Sequence, residues 1–143
     1  KSLLGFLERL ERLTPQTRPR WGSMDATRML AHLTQSVRLT LGEVPVVDRS
    51  NWFLRTFGYW LAFELFPIPR GFKAPPEFDP PSVGAFEAER ALLKGELARF
   101  VAVAEATPHR TAVSPLMGVM RMPRWQRINA LHLRHHLRQF EVW

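Results

Sequence analysis

The chain has 143 residues, 45% of them hydrophobic, with no cysteine and a formal net charge of +7. That length and apolar content fit a single domain, residues 1–143, with a real core. They exclude a disordered chain. The lack of cysteine excludes disulfide staples, thiolate metal sites and cysteine nucleophiles. It also fits a reducing compartment, so a cytoplasmic location is expected. The sequence begins at Lys1 rather than Met, which leaves open whether a targeting segment precedes it. Arginine carries almost all the positive charge, since Lys1, Lys73 and Lys94 are the only lysines. Arginines spread this evenly read as base composition more readily than as a nucleic-acid surface.

Residues 2–13 predict an amphipathic helix, with Leu3, Leu4, Phe6, Leu7, Leu10 and Leu13 on one side. Thr14-Pro15 ends it. A second helix is expected over residues 24–42. Ser23 stands as its N-cap, Asp25 lies in its first turn, and Gly42 is its stop. Its core stripe is Ala26, Leu30, Leu33, Val37 and Leu41. His32 lies off that stripe beside Met29 and Ser36, and position alone does not decide its role.

Ser50 then caps an apolar segment, residues 51–66, rich in aromatics: Trp52, Phe53, Phe57, Tyr59, Trp60, Phe63 and Phe66. It is shorter than the about 20 apolar residues a membrane span needs, and Arg55 and Glu64 interrupt it. The segment reads as a buried helix, packed on the core on one side and on a loop or a second copy of the chain on the other. Attachment to a membrane surface is the alternative. Residues 67–81 hold six of the twelve prolines and predict a long irregular loop over the surface. Ser82 caps a helix over 83–106, with Phe86, Leu93, Leu97, Phe100, Val101 and Ala104 inside. Glu87, Glu89, Lys94, Glu96 and Arg99 should be solvated, and Arg90 falls within the apolar stripe. Residues 107–122 read as a second loop. Pro123 opens the last helix, residues 123–140. No strand is convincing. The expectation is therefore an all-α, up-and-down four-helix bundle with one additional aromatic helix and a long Pro-rich loop.

The last helix carries the chemistry. Residues 132–136 contain three of the chain's five histidines. At about 100° per residue, Trp125, Ile128, Asn129, His132, His136, Gln139, Phe140 and Trp143 share one broad face. Arg124, Arg127, Arg134 and Arg138 form a separate stripe, with His135 between. His132 and His136 are four apart, so their rings lie side by side. Two imidazoles at that spacing are the helical half of a transition-metal site. They read equally as core histidines bonded to carboxylates or backbone. The arginine stripe reads as a solvated face or as a grip for phosphates. It lacks the interleaved aromatics of a single-strand binder, so nucleic acid is not expected.

Three stretches together resemble the DinB-like superfamily of four-helix bundles, close to its YfiT-like metal-dependent hydrolases. They are Trp21-Gly22-Ser23-Met24-Asp25-Ala26 running into Met29-Leu30-Ala31-His32-Leu33; Ser114-Pro115-Leu116-Met117-Gly118; and Trp125 followed by His132-Leu133-Arg134-His135-His136-Leu137-Arg138-Gln139-Phe140. The similarity is greatest to a bacterial branch of unknown function that ends in the last six of these residues. What the resemblance implies is a divalent-metal site of His32, His132 and His136. Zinc and nickel both suit three imidazoles. Supporting contacts are expected from Asp25, Ser36, Asn129 and Gln139, with Trp125 in the pocket. Similar sequences have His-Pro-x-Phe-Gly before the last helix, where this chain has Ser114-Pro115-Leu116-Met117-Gly118.

The resemblance implies metal-assisted chemistry on a small-molecule substrate, as a hydrolase or as a small-thiol-dependent transferase. The competing reading is a metal-free bundle that dimerises through residues 51–66 as a structural or interaction protein.

Overall fold

A computed structural model describes residues 3–65 and 68–143. Ser2, Phe66 and Pro67, which fall within predicted elements, lie outside the described residues. The chain is mostly helical, with one small sheet. A 3-10 turn, Leu3–Phe6, runs into the one-turn helix α1, Leu7–Leu10. Then come α2 (Ala26–Thr40), α3 (Phe86–Ala106), the strands β1 (Thr111–Ser114) and β2 (Gly118–Arg121), and α4 (Met122–Gln139). No helix among the described residues is long and apolar enough to cross a membrane.

The three long helices and the N-terminal segment share one core. Leu30, Leu33, Leu93, Leu97, Phe100, Trp125, Leu133 and Leu137 are its fully buried centre. From α1 and its flanks come Leu3, Phe6, Leu10 and Leu13, while Leu4 is exposed. The N-terminal helix is shorter than expected because 3-10 geometry occupies its first turn. Every member of the predicted α2 stripe is buried. Its N-cap is Asp25 rather than Ser23: the Asp25 Oδ1 accepts the Arg28 N–H at 2.8 Å. At its far end Gly42 takes a φ of +78°, the left-handed turn that stops a helix.

The purely helical expectation is corrected by the hairpin. β1 pairs antiparallel with β2, Thr111 opposite Arg121 and Ser114 opposite Gly118. Its buried positions alternate, with Ala112 and Ser114 facing Gly118 and Met120. The turn is closed by Ser114 Oγ, which accepts the N–H of Leu116 and of Met117. Gly118, at φ +70°, returns the chain. Trp125 locks the hairpin to α4 through Nε1–H to the Ala112 carbonyl at 3.2 Å.

Two further expectations change. Residues 54–65 wind as wide π-helical turns, Leu54–Gly58 and Trp60–Leu65. They are not a buried helix. Gly58 and Tyr59 are buried, whereas Trp52, Phe53, Phe57 and Trp60 are exposed by 42–68%. Aromatics all around one axis cannot all face a single core. The cap also moves from Ser50 to Asn51, whose Oδ1 accepts the Leu54 N–H. In α3 Ser82 is not the cap. Instead Glu89, expected in solvent, is buried and accepts the Gly84 N–H at 2.8 Å. Arg90 finds its partner by donating to the carbonyls of Leu10 and Leu13 and to the Glu87 carboxylate.

The Asp25 contact gives a first prediction. Asp25→Ala removes a cap and should cost about 1 kcal/mol of stability in chemical denaturation. Metal affinity should stay unchanged, because the described contact of that carboxylate is the Arg28 N–H. A change in metal affinity without a loss of stability would contradict this placement.

Candidate metal centre

Helix α4 presents His132 and His136 from successive turns of its inward face. Helix α2 brings His32 and Ser36 opposite them, again four residues apart. The two helices are registered by a polar bond in the core: Asn129 Nδ2–H donates to Thr40 Oγ1 at 3.0 Å, and Thr40 Oγ1 donates to the Val37 carbonyl. Both Asn129 and Thr40 are buried. Such a bond has no water to fall back on, so it fixes how α4 lies along α2.

With that register set, the three rings meet edge to face. Their centroids are 4.8–5.0 Å apart. The His132 Nε2 lies 2.9 Å from His32 Nε2 and 3.1 Å from His136 Nε2. Each outer nitrogen is held from behind. His32 Nδ1 lies 3.0 Å from the Phe78 carbonyl. A carbonyl only accepts, so Nδ1 carries the hydrogen and Nε2 keeps its lone pair. His136 Nδ1 lies 2.7 Å from Gln139 Oε1, while Gln139 Nε2–H donates to the Trp21 carbonyl. The amide is thereby oriented, and His136 also directs a bare Nε2 forward. Behind His132 Nδ1 is Ser36 Oγ at 3.1 Å, a hydroxyl that can donate or accept.

These contacts decide what the centre can hold. A single hydrogen on His132 Nε2 serves one neighbour well, and the other pair of nitrogens is left opposing lone pair to lone pair. One cation between the rings meets all three. Two imidazoles bound to one ion at about 2.0–2.1 Å have nitrogens about 2.9–3.4 Å apart. Two of the three spacings, 2.9 and 3.1 Å, lie in that range, and the three ligand atoms all lie within 4.8 Å of one another. The residues present therefore fit a metal, and His32, His132 and His136 could hold one.

Electrostatics favour the same ligand. Burial is the main reason that all three imidazoles titrate low. His136 is pushed down to about 3, and His132 lies well below its ordinary value. The Phe78 carbonyl partly offsets the shift at His32. The rings are therefore in the neutral form that binds metals. Among the described residues no carboxylate hydrogen-bonds to the three rings, so the donor set is nitrogen alone.

The other residues singled out by sequence are placed as follows. Ser36 and Gln139 stand directly behind two of the imidazoles. Asn129 and Trp125 act one step away, on helix register and on the hairpin. Asp25 caps α2. The half-buried His135 is outside the cluster; its ring packs on Trp21 and on His136. Sequence reasoning missed Phe78. Its carbonyl orients His32, and its ring lies 6.2–6.4 Å from the rings of His132 and His32. The signal was an aromatic following Pro75-Pro76-Glu77, where the Pro-rich loop makes the 3-10 turn Pro76–Phe78. Glu77 holds that turn in place, accepting from Arg49 and from the Val47 N–H.

What emerges is a mostly helical protein with a three-histidine cluster, His32 and His136 buried and His132 partly so, that could hold a metal ion. It belongs to the family described as Protein of unknown function (DUF1569), whose family model matches residues 1–142. No curated protein and no solved structure matches the chain significantly.

The low imidazole values carry a sign that can be checked. Below the ordinary histidine value of 6.5, the unfolded chain takes up protons that the folded chain refuses, down to about 3 at His136. The unfolded state then binds more protons, so stability falls as pH falls. With chelator present, the thermal midpoint should drop steadily from about pH 6.5 to about pH 5, before most carboxylates titrate. A midpoint flat across that interval would contradict the buried neutral triad.

Proposed function

We propose that this protein is a divalent-metal-binding four-helix bundle of the DinB-like type, acting on a small electrophilic substrate as a hydrolase or small-thiol-dependent transferase. The observation that carries this reading is the meeting of three imidazoles, with the Nε2 lone pairs of His32 and His136 directed forward by the acceptors on their Nδ1 atoms and His132 Nε2 between them. The helical scaffold supports the bundle assignment: α2, α3, α4 and the short N-terminal segment all contribute to one common core. When bound, zinc or nickel would supply Lewis acidity and lower the pKa of a water or thiol at the site.

The chain's own residues do the rest. Ser36, Gln139 and the Phe78 carbonyl orient the imidazoles, so little order has to be gained on binding. The Phe78 ring and the Pro-rich loop cover the cluster on one side and limit water. With no carboxylate bonded to the triad among the described residues, proton removal falls to solvent or to the incoming nucleophile's own ionisation. The location expected for such a protein remains the cytoplasm.

Elemental analysis of protein purified without an affinity tag, and then loaded with zinc or nickel, tests the reading. Stoichiometric metal and a raised thermal midpoint are expected. His132→Ala should abolish both, and Gln139→Leu should weaken binding by about 10–100-fold. Absence of stoichiometric metal after loading, or unchanged affinity in His132→Ala, would sink the proposal.

One observation favours a second, non-catalytic reading. Trp52, Phe53, Phe57 and Trp60 are exposed aromatics close together in the chain on residues 52–60, and clustered exposed apolar side chains mark interaction surfaces. Self-association through them predicts a sedimentation mass near twice 16.6 kDa, reduced to the monomer by Trp52→Ser with Trp60→Ser. A monomer in the unmutated protein at micromolar concentration would remove this reading.

A further inference from the structure

Beside the triad runs a groove of about 500 Å³, formed where Arg70 and its neighbours pass over the C-terminal half of α4. Trp21 and Leu131 give it an apolar floor, and Arg70, Arg134, Arg138 and His135 ring it. Six arginines are paired with carboxylates: Arg20, Arg38, Arg49, Arg90, Arg99 and Arg127. Among the described residues, none of the three groove arginines has a carboxylate partner. Three like charges around one concavity repel one another, and the net charge of +7 does not relieve them.

The arginines are nevertheless held in place. The Arg70 guanidinium lies 4.3 Å over the Trp21 ring, and those of Arg134 and Arg138 lie 5.2 and 5.5 Å from the centre of the Trp143 ring, which Arg9 also faces at 4.4 Å. Stacking occupies one face of a guanidinium and leaves its edge N–H groups free, the geometry that grips a planar or tetrahedral oxyanion. The volume suits a metabolite-sized ligand rather than a macromolecule. The groove also touches the triad's support. The His135 ring is 5.1 Å from that of His136, and Trp21, in the groove floor, supplies the carbonyl that orients Gln139.

We propose that this groove binds a small organic oxyanion, a carboxylate or phosphate carried on a flat apolar stem. Its use as the anchor for the substrate rests on the metal-centre reading above; the binding itself does not. The anionic end lies among Arg70, Arg134 and Arg138, and the stem rests on Trp21 and Leu131.

Isothermal titration calorimetry with phenyl phosphate, benzoate and neutral benzamide tests it, on zinc-free and on zinc-loaded protein. Both oxyanions should bind in either form, with benzamide weaker by about tenfold or more. Arg70→Gln and Arg134→Gln should each weaken phenyl phosphate by about tenfold. Arg121→Gln, on the exposed edge of β2, should change nothing. Equal binding of benzamide, or oxyanion binding that survives both groove substitutions, would overturn the proposal. If zinc binds and phenyl phosphate does not, the groove alone is wrong. If phenyl phosphate binds and no metal does, the groove stands without its catalytic role.

Discussion

Three imidazoles buried against one another set the terms for the rest of this molecule. Each loses water on burial, and each must find a partner for Nδ1 while its Nε2 faces a neighbouring imidazole, that of His132 facing both others. Those partners come from three separate parts of the chain. Phe78 reaches in from the Pro-rich loop, Ser36 from α2, and Gln139 from the end of α4, itself steadied by Trp21 from the segment before α2. Docking of the loop and of the segment around Trp21 is thus tied to the centre. Gly22 belongs to the same constraint: at φ +80° a Cβ there would stand 3.1 Å from Gln139 Nε2.

The scaffold explains why the cluster can persist. Leu133 and Leu137 bury the other side of α4, and Leu30 and Leu33 do the same for α2. The helices are held apart by packed apolar side chains, and their register is set by the buried Asn129–Thr40 bond. The hairpin adds a brace at the start of α4 through Trp125. Outside this frame the surface is basic. Some of its arginines pair with carboxylates and some lie over aromatic rings, and three of the latter, Arg70, Arg134 and Arg138, gather beside the histidine cluster.

Much of this was legible in the sequence because helical periodicity is a strong signal. The α2 stripe, the Gly42 stop, the Pro123 start of α4 and its inward histidine face all follow from the 3.6-residue repeat. His32 did not. Its spacing said nothing, and resemblance to a known family singled it out. The hairpin was missed because each strand has only four residues and a Pro-containing turn sits between them, too little alternation to outweigh a loop reading. Residues 51–66 misled for a different reason: aromatics on every side look like a fully buried helix, but Trp52, Phe53, Phe57 and Trp60 are left exposed. Glu89 and Phe78 owe their roles to contacts far away or to backbone atoms, which no side-chain pattern reports.

The central claim is that one divalent ion is held by His32, His132 and His136. X-ray absorption at the metal edge of zinc-loaded protein tests it most directly. The account predicts imidazole scattering from three nitrogens at about 2.0–2.1 Å, lost in part when His32 or His136 is replaced by alanine. A first shell without imidazole, or a spectrum unchanged by those substitutions, would contradict it.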